Sequence, residues 1–149
     1  MLSSQAQSNP RTLLVLSFTL LATTAFAEYC RVVGVSDGDT LTVRCGWKPQ
    51  ERIRVAEIDA PEKSQPFGKA AKARASELAF GKDIDLAAAG HDRYGRTIGR
   101  VTLPDGTDFG REMIRSGLAW RYLPYSKDKS LSDVEAEARG GRRGLWSEP

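Results

Sequence analysis

The segment from Cys30 to Cys45 constrains the fold more than any other stretch of this chain. Two β-branched runs, Cys30–Ser36 (CRVVGVS) and Thr40–Cys45 (TLTVRC), flank Asp37-Gly38. That dipeptide favours a two-residue hairpin loop, because Gly and Asp tolerate the positive φ of a type I′ turn. With this loop Ser36 faces Asp39, and stepping outward residue by residue brings Cys30 opposite Cys45. Opposed Cα atoms lie about 4.5–5.5 Å apart, inside the range a disulfide accepts. A Cys30–Cys45 disulfide is therefore expected, at a hydrogen-bonded pair with the wider spacing; a bulge near Gly34 would change the register. These are the chain's 2 cysteines, and their spacing fits no Cys-x-x-Cys zinc or redox pattern.

Beyond the hairpin, Arg52–Ile58 (RIRVAEI) reads as a third strand ended by Asp59-Ala60-Pro61. Gly68–Phe80 has the Ala, Lys, Glu and Leu content of a helix, with Gly81 as its stop. Asp83–Ala87 and Thr97–Leu103 read as two further strands. A short helix is expected over about Gly110–Ser116, stopped near Gly117, and a last helix over roughly Leu131–Arg139. Five short strands with about three helices define an α+β fold and match a five-stranded Greek-key barrel of the OB type. The same order of elements also fits an open α+β sheet.

Residues 1–27 have the three regions of an export signal in order. Arg11 is the only charge, Thr12–Ala22 is apolar but too short to span a bilayer comfortably, and Ala25-Phe26-Ala27 has the A-x-A shape of a signal-peptidase site. Cleavage there leaves residues 28–149 as one domain with no membrane span, exported to the periplasm or beyond. An oxidising compartment agrees with a disulfide. The net charge of +3 is too small by itself to argue for a nucleic-acid partner.

Three clusters carry candidate chemistry: Asp37-Gly38-Asp39-Thr40, Arg54 to Glu62 (RVAEIDAPE), and Asp92-Arg93-Tyr94-Gly95-Arg96. Each has a bland explanation, as a turn, a helix start or a surface loop. Their combination and order are specific. With Gly117-Leu118-Ala119 and Leu145-Trp146-Ser147, they make the sequence resemble the staphylococcal nuclease family from about Tyr29 to Ser147.

The resemblance implies a calcium-dependent endonuclease acting on DNA and RNA with little sequence preference. Asp39, Asp59 and the carbonyl of Ala60 would bind Ca²⁺ through hard oxygen ligands, with Asp37 behind them. Glu62 would orient or deprotonate the attacking water. Arg54 and Arg96 would grip the phosphate, since guanidinium stays charged and offers two donors to two oxygens. Arg93 and Tyr94 match positions that touch a terminal phosphate or nucleotide, although the family carries lysine where Arg93 stands. Tyr122 and Tyr125 fall where the family places aromatic residues near the base or sugar. His91, the only histidine, matches no such position and reads as a surface residue.

One conflict is visible in the sequence. Arg54 and Asp59 are five apart, so a regular strand would point them to opposite faces, and the family geometry needs a bend between them. The alternatives to an enzyme are a nucleic-acid-binding module that has lost its site, and a carbohydrate- or protein-binding OB domain. Neither requires two Asp, one Glu and two Arg together. The protein is expected to act as a monomer.

Overall fold

The computed structural model describes residues 27–147. The signal segment expected over residues 1–27 lies outside the described residues except for Ala27. Seven strands and three helices follow in order: β1 Glu28–Asp37, β2 Thr40–Arg44, β3 Glu51–Val55, β4 Ile58–Asp59, α1 Gly68–Ala79, β5 Asp83–His91, β6 Thr97–Thr102, α2 Phe109–Arg115, β7 Trp120–Arg121 and α3 Ser130–Gly140. Strands β1-β2-β3-β6-β5 close into a barrel, in which β3 and β6 run parallel and the other pairs antiparallel. Closure decides against the open sheet. Two short strands that the sequence reading missed, β4 and β7, form a second small sheet beside the barrel.

The barrel is filled by alternate residues of its strands, among them Val32, Leu41, Val43, Ile53, Val55, Ile84, Leu86 and Val101. Helix α1 turns Gly68, Ala71, Ala75 and Ala79 inward, a stripe at helical spacing whose small side chains let it lie close to β1. Asp108 starts α2 by accepting the N–H of Arg111, and Phe109, Met113 and Ile114 bury its inner face. Gly81 and Gly117 take positive φ just past α1 and α2, the left-handed stops expected of them.

The first hairpin differs instructively from its sequence reading. Asp37 pairs with Thr40, so the loop is Gly38-Asp39 rather than Asp37-Gly38, and none of these three residues has positive φ. Gly38 is needed for space instead: a Cβ there would lie 2.7 Å from Ala60 Cβ and 2.9 Å from Ala71 Cβ. That close approach tucks the loop beneath α1. From Asp37–Thr40, regular stepping would bring Cys30 opposite Trp47. Bulges between Val35 and Asp37 and between Val32 and Gly34 each take up one residue, so Arg31 faces Arg44.

Cys30 and Cys45 then meet as a disulfide with Cα atoms 4.1 Å apart, nearer the narrow spacing than the wide one expected from an unbulged ladder. The bond closes the end of the hairpin opposite Asp39. Reduction is expected to lower the melting temperature by about 10 °C, from roughly 3 kcal/mol of loop entropy. Activity at moderate temperature should be unchanged. Thermal melts with and without reductant test this, and two alkylatable thiols in protein never exposed to reductant would overturn it.

Candidate active site

The strand containing Arg54 breaks where the chemistry needs it to. β3 ends at Val55, Ala56-Glu57 form a turn with Glu57 at φ 65°, and β4 resumes at Ile58. This kink corrects the expected continuous strand from Arg52 to Ile58 and folds Asp59 back onto Arg54. Nη1 of Arg54 donates to the carbonyls of Val55 and Ile58, both at 2.8 Å, and braces the turn. Its Nη2 lies 2.9 Å from Asp59 Oδ1 and 3.4 Å from Asp39 Oδ2. One guanidinium therefore spans both candidate metal-binding carboxylates.

Asp39 is the buried member of the pair, at 6% exposure. Its Oδ2 accepts the Ala60 N–H at 2.8 Å and its Oδ1 accepts the Thr40 hydroxyl at 3.0 Å. Burial pushes its carboxyl above the ordinary range; Arg54, the Ala60 N–H and the Thr40 hydroxyl oppose that shift, while Asp37 adds to it. Asp37 Oδ1 is itself buried without a hydrogen-bond partner among the described residues. Such an oxygen is costly unless something outside the protein compensates it. Asp39 and Asp59 meet on one guanidinium, with Asp37 behind Asp39, and offer oxygen donors of the kind a hard divalent cation takes, although the three carboxylates do not all lie within ligating distance of one another. Among the described residues, Glu28, Cys30 and Cys45 are the only His, Cys, Asp or Glu trio with mutually close ligand atoms, and the disulfide consumes both sulfurs.

Arg96 joins this centre from the turn that leads into β6. Its Nη1 donates to Thr40 Oγ1 at 3.3 Å, so Arg96, Thr40 and Asp39 form one hydrogen-bonded chain. Asp92 sets its position. Asp92 Oδ2 holds Arg96 Nε at 2.7 Å, and Oδ1 accepts the backbone N–H groups of Tyr94 at 2.8 Å and Arg96 at 3.0 Å. Desolvation works against the Asp92 charge, but these bonds from Arg96 and Tyr94 together outweigh it and hold the carboxyl below its usual range. Tyr94 is 69% exposed, with the guanidinium of Arg93 4.8 Å and that of Arg96 5.7 Å from its ring centre.

Asp39, Asp59, Ala60, Arg54 and Arg96 are thus brought together by direct contacts or by one intervening hydroxyl. Glu62 is not in that network. It stands exposed after Pro61, and its carboxylate makes no hydrogen bond or ion pair among the described residues. Its backbone is fixed, however: Gln65 Oε1 accepts its N–H at 2.7 Å and its carbonyl accepts the Gln65 N–H at 2.8 Å. Tyr122 and Tyr125 pack on each other, ring centres 5.5 Å apart, on the loop after β7. Among the described residues neither makes a hydrogen bond to those five, but β7 pairs directly with β4, Trp120 opposite Asp59. His91 is exposed at the end of β5, as its reading as a surface residue requires.

Three contributors were missed as individuals. Thr40 and Asp92 lay inside recognised clusters without a role; an Asx residue before a Gly-containing turn was the available signal for Asp92. Glu57 also lay inside a recognised cluster, but nothing local marked its role. Its carboxylate accepts the N–H groups of Lys127 and Asp128 and pairs with Arg100. Burial works against its charge, but Arg100 and the two N–H groups outweigh that and hold its carboxyl below the usual range.

An OB-type barrel bearing clustered carboxylates and guanidinium groups on its wall has the kinds of donor that a phosphate diester would need. The family model described as "Staphylococcal nuclease homologue" matches residues 52–148, which include every candidate except Asp37, Asp39 and the cysteines. The chain belongs to the staphylococcal nuclease family. It is 41% identical over 138 residues to a Haemophilus influenzae protein named "uncharacterized endonuclease", covering 92% of this chain and 77% of that one. An Escherichia coli O157:H7 protein of the same name is 43% identical over 118 residues, 79% of this chain and 76% of its own length. A "micrococcal nuclease" of Shigella flexneri is 37% identical over 141 residues, 87% of this chain and 80% of that protein.

Proposed function

We propose that this protein is an exported, calcium-dependent nuclease that hydrolyses phosphodiester bonds of DNA and RNA with little sequence preference. The observation that carries the reading is the continuous contact from Asp59 through Arg54 to buried Asp39, and from Asp39 through Thr40 to Arg96. It supplies acidic oxygen ligands and cationic donors within one surface patch, the two things needed to hold a phosphate diester. The named relatives, an endonuclease and a micrococcal nuclease, support the same reaction class.

In this reading Asp39, Asp59 and the Ala60 carbonyl hold the cation. Bound calcium would supply positive charge against the phosphate oxygens and help orient the diester. Arg54 Nε and Arg96 Nη2, which have no partner among the described residues, provide donors for charge building on those oxygens. Water attacks phosphorus, Glu62 takes its proton, and the bond from phosphorus to the leaving oxygen breaks as that oxygen acquires a proton. None of these groups reads a base edge, so cleavage without sequence preference follows. Export rests on the sequence of residues 1–27, and the Cys30–Cys45 disulfide suits that destination. Among the described residues no helix is long and apolar enough to cross a membrane.

The test is one gel: residues 28–149 with plasmid DNA or RNA, in calcium, in magnesium and in chelator. Both substrates should be degraded in calcium, poorly in magnesium and not in chelator. Binding without cleavage under every condition would favour the module that has lost its chemistry. Full activity in excess chelator would remove Asp39 and Asp59 as metal ligands.

A further inference from the structure

The segment between β7 and α3 leaves Glu57 and returns to Glu57. At its start the Tyr122 N–H donates to the Glu57 carbonyl at 2.8 Å, extending the β4–β7 pairing by one residue. At its end the Lys127 and Asp128 N–H groups donate to Glu57 Oε1 at 2.8 and 3.0 Å. Between these anchors the chain doubles back, with the N–H groups of Tyr125 and Ser126 both donating to the Tyr122 carbonyl. This closed loop carries the Tyr122–Tyr125 pair.

Glu57 is also one of three non-glycine residues at positive φ among the described residues, at 65°. A glutamate in that conformation carries backbone strain that glycine would avoid, and its surroundings must hold it there. The turn it occupies is the one that returns Asp59 and Ala60 to Arg54. Arg100 pairs with its second carboxylate oxygen and reaches Asp108, the N-cap of α2, at 3.6 Å. A single residue thus bends the acidic arm and fastens both ends of the aromatic loop.

We infer that Glu57 is a positioning residue that fixes the Tyr122–Tyr125 surface relative to Asp59 and Ala60. It registers bound nucleic acid against the reacting centre without touching it. This rests on the nuclease reading for its kinetic consequence, whereas the tether itself is read out independently. Arg121 closes the loop from its other side, with Nε 2.9 Å from Ser126 Oγ and Nη1 2.6 Å from Ser132 Oγ. Losing Glu57 should therefore loosen the loop rather than unfold it.

Two variants separate positioning from general stability. Glu57→Gly removes the carboxylate while relieving the positive φ, so the fold should persist. Glu57→Gln keeps an acceptor for the two N–H groups. For a single-stranded oligonucleotide, Glu57→Gly should raise KM about tenfold with a smaller change in kcat, as expected when an aligned contact is lost away from the chemistry. Trypsin should cut it faster after Lys127 and Lys129, and Glu57→Gln should restore both properties most of the way. Unchanged KM in Glu57→Gly, a loss confined to kcat, or equal damage in Glu57→Gln would overturn the inference. Tryptic resistance in Glu57→Gly equal to the parent's would overturn the tether even if the parent proves inactive on nucleic acid. Inactivity of the parent would count against the nuclease reading alone.

Discussion

Replacing Glu62 by Gln is expected to slow hydrolysis by about 10²- to 10⁴-fold while leaving KM for nucleic acid near that of the parent. The substitution is nearly isosteric and removes the proton acceptor. It should not disturb the fold, because the Glu62 side chain makes no hydrogen bond or ion pair among the described residues. What fixes this residue is its backbone, through the paired bonds with Gln65 and the tight approach of Gly68, where a Cβ would lie 1.8 Å from the Glu62 carbonyl oxygen. Stability should therefore stay within about 0.5 kcal/mol of the parent, the usual range for an exposed site. Melting curves and steady-state kinetics on one oligonucleotide decide it. An unchanged kcat would mean that the water's proton goes elsewhere.

The contrast between Glu62 and Arg54 shows what the sequence could convey. Each residue type announced its chemistry in the string: hard carboxylates for a cation, guanidinium for phosphate. The sequence also stated the conflict between Arg54 and Asp59 correctly. Its resolution was hidden, because the break at Ala56-Glu57 uses a glutamate at positive φ where pattern reasoning expects Gly or Asn. That glutamate is held there by Lys127, Asp128 and Arg100, residues far away in the chain. Long-range compensation of this kind leaves no local signature.

The hairpin gives the converse case. Local chemistry suggested positive φ at Asp37-Gly38, whereas Gly38 is selected by the crowding of Ala60 and Ala71. The inferred register was wrong at the loop and right at the cysteines, since two bulges took up the difference. The elements carried mainly by their own periodicity or by glycine stops, namely β2, α1, β6 and α2, were legible to within a residue or two. The two-residue strands β4 and β7 were not, because two residues show no alternation.

Asp39→Asn should cost about 10³-fold or more in activity, the scale of several kcal/mol attributed to a catalytic cation, yet change metal-free stability far less. The two effects separate because Asp39 is an expensive residue to keep charged. Buried at 6% exposure, with Asp37 beside it, its carboxylate is disfavoured by desolvation and by a like charge. Arg54 offsets part of this at 3.4 Å, but Arg54 retains Asp59 and the carbonyls of Val55 and Ile58 when that contact is weakened. Asparagine keeps the shape and one acceptor for the Ala60 N–H while relieving the repulsion from Asp37. Ligand binding to the folded state alone raises stability by RT ln(1 + [L]/Kd), about 2.7 kcal/mol at a hundredfold excess over Kd. The parent should therefore melt at a higher temperature as calcium is added, and Asp39→Asn should lose that dependence. A calcium-dependent melting shift in Asp39→Asn equal to the parent's would show that the cation does not depend on the buried carboxylate. A large loss of metal-free stability would show instead that Asp39 serves the fold before it serves the site.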